Sequence, residues 1–148
     1  MNPFTDEYFM KKALQEAETA FNKGEVPIGA VIVINDKIIA RAHNLTEALN
    51  DVTAHAEMQA FTAAADFLGG KYLKNCTLYV TLEPCQMCAG ASYWTQIDKI
   101  VFGAKDLQRG FQQLNTKLHP KTKIVGGILE KECSGIINEF FIQKRNLN

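Results

Sequence analysis

The sequence is short of what several functional classes require. Sixteen basic residues balance sixteen acidic ones, so no global positive field draws in a polyanion. The longest apolar stretch, Val26 to Ile34, is less than half of the ~20 residues that a membrane-spanning helix needs. No membrane partner is expected. The opening residues, Met1 to Glu7, lack the basic segment and apolar run of a secretory signal, and a cytoplasmic location is the resulting expectation. No internal repeat, low-complexity tract or linker is visible, so residues 1–148 are expected to form one domain with one sizeable core. Cysteine is scarce, with four in the chain, which fits a reducing compartment better than a disulfide framework. Cys76 and Cys133 stand alone and are expected as small buried hydrophobes.

What is present is patterned. Phe9, Met10, Ala13, Leu14, Ala17, Ala20 and Phe21 recur at helical spacing between a capping Thr5 or Asp6 and a terminating Gly24. Ala30–Ile34 and Lys37–Ala40 are β-branched runs joined by Asn35-Asp36, which predicts a hairpin. A second helix is predicted from about Ala54 to Phe67, capped by Asp51 or Thr53 and closed by Gly69-Gly70. Thr77–Leu82 predicts a strand, broken by Glu83-Pro84. A third helix should then start at Pro84 or Cys85 and run to about Thr95. Lys99–Phe102 and Ile124-Val125 are short strands. A last helix from about Leu129 carries Cys133, Ile136, Ile137, Phe140 and Phe141 toward the core. A hairpin followed by alternating helices and strands predicts an α/β sandwich around a mixed sheet.

Two short motifs carry chemistry: His55-Ala56-Glu57 and Pro84-Cys85-Gln86-Met87-Cys88. His55, Cys85 and Cys88 supply one imidazole and two thiols, a donor set suited to one zinc ion. Both cysteines fall at a predicted helix start, where free backbone N–H groups and the helix dipole favour thiolates. Structural zinc normally has four protein ligands, so three ligands leave a corner for water, whose pKa zinc lowers toward ~7. Glu57 lies two residues from His55 and is placed to carry protons rather than to bind metal. Hydrolytic deamination of a nucleobase needs this combination, an activated water beside a proton carrier. The other readings are a structural zinc completed by Cys76 or His43, as in a non-catalytic binding module, and a redox C-x-x-C. Lys117, His119, Lys121 and Lys123, and the tail with Lys144 and Arg145, are either solvated faces or phosphate contacts.

These motifs, with Val26–Val31, Thr53–Met58, Thr77–Gly90, Val101–Asp106, Gly127–Leu129 and Glu139–Phe141, resemble the cytidine deaminase-like superfamily. Within it the sequence is most similar to the bacterial tRNA-specific adenosine deaminases, and the resemblance covers nearly the whole chain. It implies a three-layer α/β/α sandwich with a five-stranded mixed sheet, one Zn2+ per chain, and a homodimer. It implies conversion of adenosine to inosine at the wobble position, with a tRNA anticodon stem-loop as substrate. His55, Cys85 and Cys88 match the zinc ligands and Glu57 the catalytic proton shuttle. Asn44 matches a base-contacting position, though an Asn there also suits a turn. Ile28 and Ala30 match pocket-lining positions and equally fit strand core. Asp106 matches a loop acid near the ribose, or a turn cap. Phe141 matches an aromatic that approaches RNA. Tyr93-Trp94 departs from most members of that group and is similar to bacterial guanine deaminases of the same superfamily, which keeps a deaminase of free guanine, cytosine or a nucleoside open. A place for Trp94 in a dimer interface is the other reading.

Overall fold

The computed structural model describes residues 2–147. Helix α1, Asp6–Asn22, begins where Thr5 Oγ1 accepts the Tyr8 N–H at 3.2 Å. Asp6 and Glu7 in its first turn complement the helix dipole. Phe9, Met10, Ala13, Ala17 and Ala20 form its buried stripe. The small residues in that stripe let α1 lie directly on strand β1, Gly29–Ile34. A Cβ on Gly29 would come within 2.0 Å of the Ala13 carbonyl oxygen.

β1 turns into β2, Lys37–His43, through Asn35 and Asp36, both with positive φ (49° and 62°), the backbone of a tight hairpin turn. Helix α2, Ala56–Leu68, leads to β3, Cys76–Leu82. Helix α3, Gln86–Thr95, leads to β4, Lys99–Ala104. A short β5, Lys123–Val125, and helix α4, Glu130–Asn146, complete the order. The five strands form one sheet in the order β2-β1-β3-β4-β5. β1 is antiparallel to both its neighbours, and β3-β4 and β4-β5 are parallel, so the sheet is mixed.

Both faces of the sheet are covered, which explains why β1 is apolar at every position rather than alternating. Ala30 and Ile32 face one way and pack with Ala56, Ala60, Phe61 and Ala64 of α2 and Ala89 of α3. Val31 and Val33 face the other way and pack with Phe9, Met10 and Ala13 of α1 and Cys133 of α4. The architecture is a three-layer α/β/α sandwich with a five-stranded mixed sheet, as the resemblance implied. Cys76 and Cys133 are fully buried, one in each apolar layer.

The starts of two helices and the inward face of a third differ from expectation. The N-cap of α2 is His55, not Asp51 or Thr53. Asp51 is engaged locally instead, its Oδ1 accepting the Thr53 N–H at 2.9 Å and the Thr53 hydroxyl at 2.7 Å. Helix α3 begins at Gln86, after both Pro84 and Cys85, with Cys85 as N-cap. On α4, Cys133 and Phe140 are buried, while Phe141 is 41% exposed. Residues seven apart share a helix face, and Phe141 lies about 100° further round. Among the described residues no helix is long and apolar enough to cross a membrane.

The pairing sets where a site can form. Gly29 pairs with His43, and Leu82 with Ala104, so the start of β1 and the carboxyl ends of β2, β3 and β4 share one edge of the sandwich. Four chain segments meet there: 25–28, 44–55, 83–85 and 105–112. Crevices beyond the carboxyl ends of strands are the usual ligand sites of α/β folds.

Candidate active site

His55 and Cys85 occupy equivalent places, each the N-cap of a helix that follows a strand end. Both have extended backbone (ψ 154° and 174°), and neither side chain makes a capping hydrogen bond to its helix. Their side chains are therefore free to converge. His55 Nδ1 stands 3.6 Å from Cys85 Sγ and 3.6 Å from Cys88 Sγ. Tetrahedral zinc with Zn–N and Zn–S bonds near 2.0 and 2.3 Å requires an N···S separation of about 3.6 Å. The donor set thus fits one zinc ion in chemistry and in spacing. Among the described residues no fourth His, Cys, Asp or Glu joins this group. The two alternative ligands are engaged elsewhere. Cys76 is fully buried in the core, and His43 lies 3.4 Å from Glu16 Oε1 and 3.2 Å from Lys23 Nζ.

Among the protein groups alone, the thiols share their protons unequally. A hydrogen bond from Cys88, and secondarily from His55, pulls Cys85 down to about 4. Cys88, as the donor in a buried place, is pushed up. The Cys85 partner raises His55. Burial drives Glu57 up to about 7. Glu57 sits in the first turn of α2 and is 4% exposed. A carboxyl that titrates near neutral pH both accepts and returns a proton readily.

His55, Glu57 and Cys85 line a cavity of about 620 Å³, large enough for a nucleoside. Ile28, Asn44, Asp106 and Phe141 also line it, so the edge brings together all but one of the expected contact residues. Ala30 is the exception. It is fully buried within β1, between Ala42 and Val80, and it belongs to the core because its side chain points into the α2 layer rather than toward the strand end. Asn44 is held in place from both sides. Its backbone N–H donates to the Ile28 carbonyl at 3.1 Å, and its Nδ2 donates to Thr46 Oγ1 at 3.4 Å. Asp106 Oδ1 accepts the N–H groups of Gln108 and Arg109, at 3.1 and 2.9 Å, so its turn-capping role coexists with its place at the cavity.

The cations at the cavity are Lys105 and Arg109 rather than the 117–123 segment. That segment lies toward the far end of α3, where the His119 ring is 5.6 Å from Tyr93. Tyr93 and Trp94 lie there too, outside the cavity, 38% and 77% exposed. Sequence reasoning also missed Gln59. Its Nε2 donates to the carbonyls of His43 and Ala54, at 2.8 and 3.1 Å, tying both ends of the 44–54 loop to the helix that presents His55. A Gln four residues into a helix carries no distinguishing signal in one sequence.

The fold and a three-donor metal group beside a buried carboxyl define a metal-dependent hydrolase of the deaminase type. The model of the cytidine and deoxycytidylate deaminase zinc-binding region matches residues 3–104. A tRNA-specific adenosine deaminase of Bacillus subtilis (strain 168) is 47% identical over 95% of this chain and 91% of its own length. A structure from studies of A-to-I editing by tRNA:A34 deaminases at the wobble position of transfer RNA has a TM-score of 0.80. It is 42% identical over 87% of this chain and 98% of its own. The guanine deaminase of Bacillus subtilis has a TM-score of 0.65 and is 41% identical over 71% of this chain and 66% of its own. The chain belongs to the cytidine and deoxycytidylate deaminase family, in the group that holds these tRNA-specific adenosine deaminases.

Proposed function

We propose that this chain is a zinc-dependent hydrolytic deaminase that converts adenosine to inosine at the wobble position of a tRNA anticodon. The observation that carries the chemistry is the meeting of the sulfurs of Cys85 and Cys88 with His55 Nδ1, at 3.6 Å each, beside a cavity lined by His55, Cys85 and the buried Glu57. The substrate assignment rests on near full-length similarity to tRNA-specific adenosine deaminases. In this reading residues 1–148 work as one deaminase domain.

His55, Cys85 and Cys88 would hold the zinc. A zinc ion bound there supplies an activated water as nucleophile. Glu57 is the group placed to take a proton from water as its oxygen bonds C6, and to deliver that proton to N1 of adenine. It then passes the remaining proton of the water-derived hydroxyl to the exocyclic amine; the C6–N bond breaks, ammonia leaves, and the oxygen stays on C6 as the carbonyl of hypoxanthine. Water is consumed and ammonia released, so no redox partner is required. Asn44 presents its amide to the base edge, and Ile28 packs against the ring. Asp106 borders the ribose side. Phe141 offers a ring face to a neighbouring nucleotide, and Lys105 and Arg109 supply charge for phosphates. An activity on tRNA fits a cytoplasmic protein. A homodimer would cover the exposed aromatic residues Tyr72, Tyr93 and Trp94, and sedimentation of the zinc-loaded protein at twice the chain mass tests that.

A free-nucleobase deaminase would share the metal chemistry. Its motivating residues, Tyr93 and Trp94, line a separate surface away from Glu57. The test is ammonia release from a panel: an anticodon stem-loop with adenosine at the wobble position, free adenosine, guanine and cytidine. Turnover of the stem-loop alone is expected. Turnover of guanine alone would overturn the reading.

A further inference from the structure

Two buried carboxylates outside the metal site have a common and unusual arrangement. Glu25 is 1% exposed and Glu83 is 4% exposed. Among the described residues neither has a salt-bridge partner. Each is satisfied instead by two backbone N–H groups from a loop distant in sequence. Glu25 accepts the Glu47 N–H on Oε1 at 2.9 Å and the Ala48 N–H on Oε2 at 2.7 Å. Glu83 accepts the Asp106 N–H on Oε1 at 3.1 Å and the Gln112 N–H on Oε2 at 3.0 Å. Burying an ionised carboxylate is expensive unless such donors compensate it, so each loop is bound firmly to its anchor.

The two anchored loops both contribute to the walls of the same cavity. Glu25 precedes the lining residue Val26, and its loop carries Asn44 and Thr46. Glu83 borders the cavity beside Leu82 and Cys85, and its loop carries Asp106 and Arg109. The second wall is packed closely onto its anchor. A Cβ on Gly110 would meet Glu83 Oε1 at 2.5 Å. The Phe111 N–H also donates to the Pro84 carbonyl at 2.9 Å, and Gly110 bridges to Cys85.

We propose that Glu25 and Glu83 are positioning residues that set the separation of the two cavity walls, and so decide which nucleobase the site accepts while leaving the metal chemistry to other groups. The proposal rests on the deaminase reading for its substrate. Its geometric content does not depend on that reading.

The test uses the zinc-loaded full chain with Glu25→Gln and Glu83→Gln. Each change keeps size but sets an amide N–H against a backbone N–H, opening one bond of the clamp. Hydrogen exchange should quicken at Glu47 and Ala48 in the first variant and at Asp106 and Gln112 in the second, with zinc still at one per chain. KM for the adenosine stem-loop should rise about tenfold, as expected for loss of one buried charge-assisted bond. The preference for adenosine over cytidine at the target position should fall by a similar factor. A merely structural role would lower active-enzyme yield with KM and preference unchanged, and that result overturns the proposal. Unaltered exchange at the named amides also overturns it, and zinc loss in Glu83→Gln would assign that residue to the metal site instead. Glu25→Asp and Glu83→Asp, which keep the charge but retract it, give the same readouts should a Gln variant fail to fold. If the wild type leaves the stem-loop unchanged, the deaminase reading fails on its own, while the exchange pattern still decides the clamp.

Discussion

His55 Nδ1 lies 3.6 Å from Cys85 Sγ, although the two residues are thirty positions apart and sit on different helices. Each is an N-cap that leaves its own helix uncapped by a side chain. An N-cap side chain that bonds its own helix typically stabilises it by about 1 kcal/mol, so both helices forgo that in favour of a shared donor set. Cys85→Ser should therefore lose metal, because a hydroxyl is a poor substitute for a thiolate. Elemental analysis of the purified variant should find zinc well below the wild-type content. Full zinc retention would mean that Cys85 is not a ligand.

Glu57→Gln should separate metal binding from proton transfer. The variant keeps its zinc and its fold, and turnover falls by about 10²- to 10⁴-fold, the range for loss of a general acid–base group. Parallel zinc analysis and stem-loop kinetics check this. Joint loss of metal would mark Glu57 as a ligand.

Chelation should expose a difference between Cys85 and the two core cysteines, Cys76 and Cys133. With metal removed, Cys85, held down to about 4, reacts with iodoacetamide at pH 7. Cys133, pushed up to about 12 by burial, and Cys76, raised by the same cause, remain protonated and unlabelled in the folded protein. Peptide mapping by mass spectrometry reads the pattern. Metal removal should also lower the melting temperature by about 5 to 10 °C, if zinc is held at a hundredfold over its dissociation constant.

Arg109→Ala should weaken binding of the anticodon stem-loop without altering zinc content. If Arg109 meets one phosphate, the slope of log affinity against log salt should become shallower by about 0.7. Titrations at several salt concentrations measure it, and an unchanged slope would remove Arg109 from the RNA path.

Gly29→Ala should destabilise the fold by about 1–3 kcal/mol or more, because its methyl has no space between β1 and α1. Urea denaturation gives the value. Wild-type stability would show that α1 does not sit against β1 as closely as the geometry requires.

Much of this was legible in the sequence because the signals are local. The hairpin turn, the stripe of α1 and the C-x-x-C at a helix start each depend on neighbours a few residues apart. The metal group was legible for another reason: one imidazole and two thiols have few other joint uses. What stayed hidden depends on tertiary contacts. Ile28 and Ala30 are apolar residues two apart on one face, and only their places along the chain separate them: Ala30 is enclosed between Ala42 and Val80, while Ile28 lies just before β1 and meets the cavity. Phe140 and Phe141 differ by one residue and by opposite environments. Glu25, Glu83 and Gln59 act through backbone groups of distant loops, and no side-chain pattern announces such a partner.

The central claim is a zinc ion held by His55, Cys85 and Cys88 with its remaining position open to water beside Glu57. X-ray absorption at the zinc edge of the purified protein tests it most directly. The account predicts one nitrogen and two sulfur ligands from the protein plus one solvent oxygen, with the same spectrum in Glu57→Gln. A shell closed by a fourth protein ligand, or one that changes when Glu57 is replaced, would contradict it.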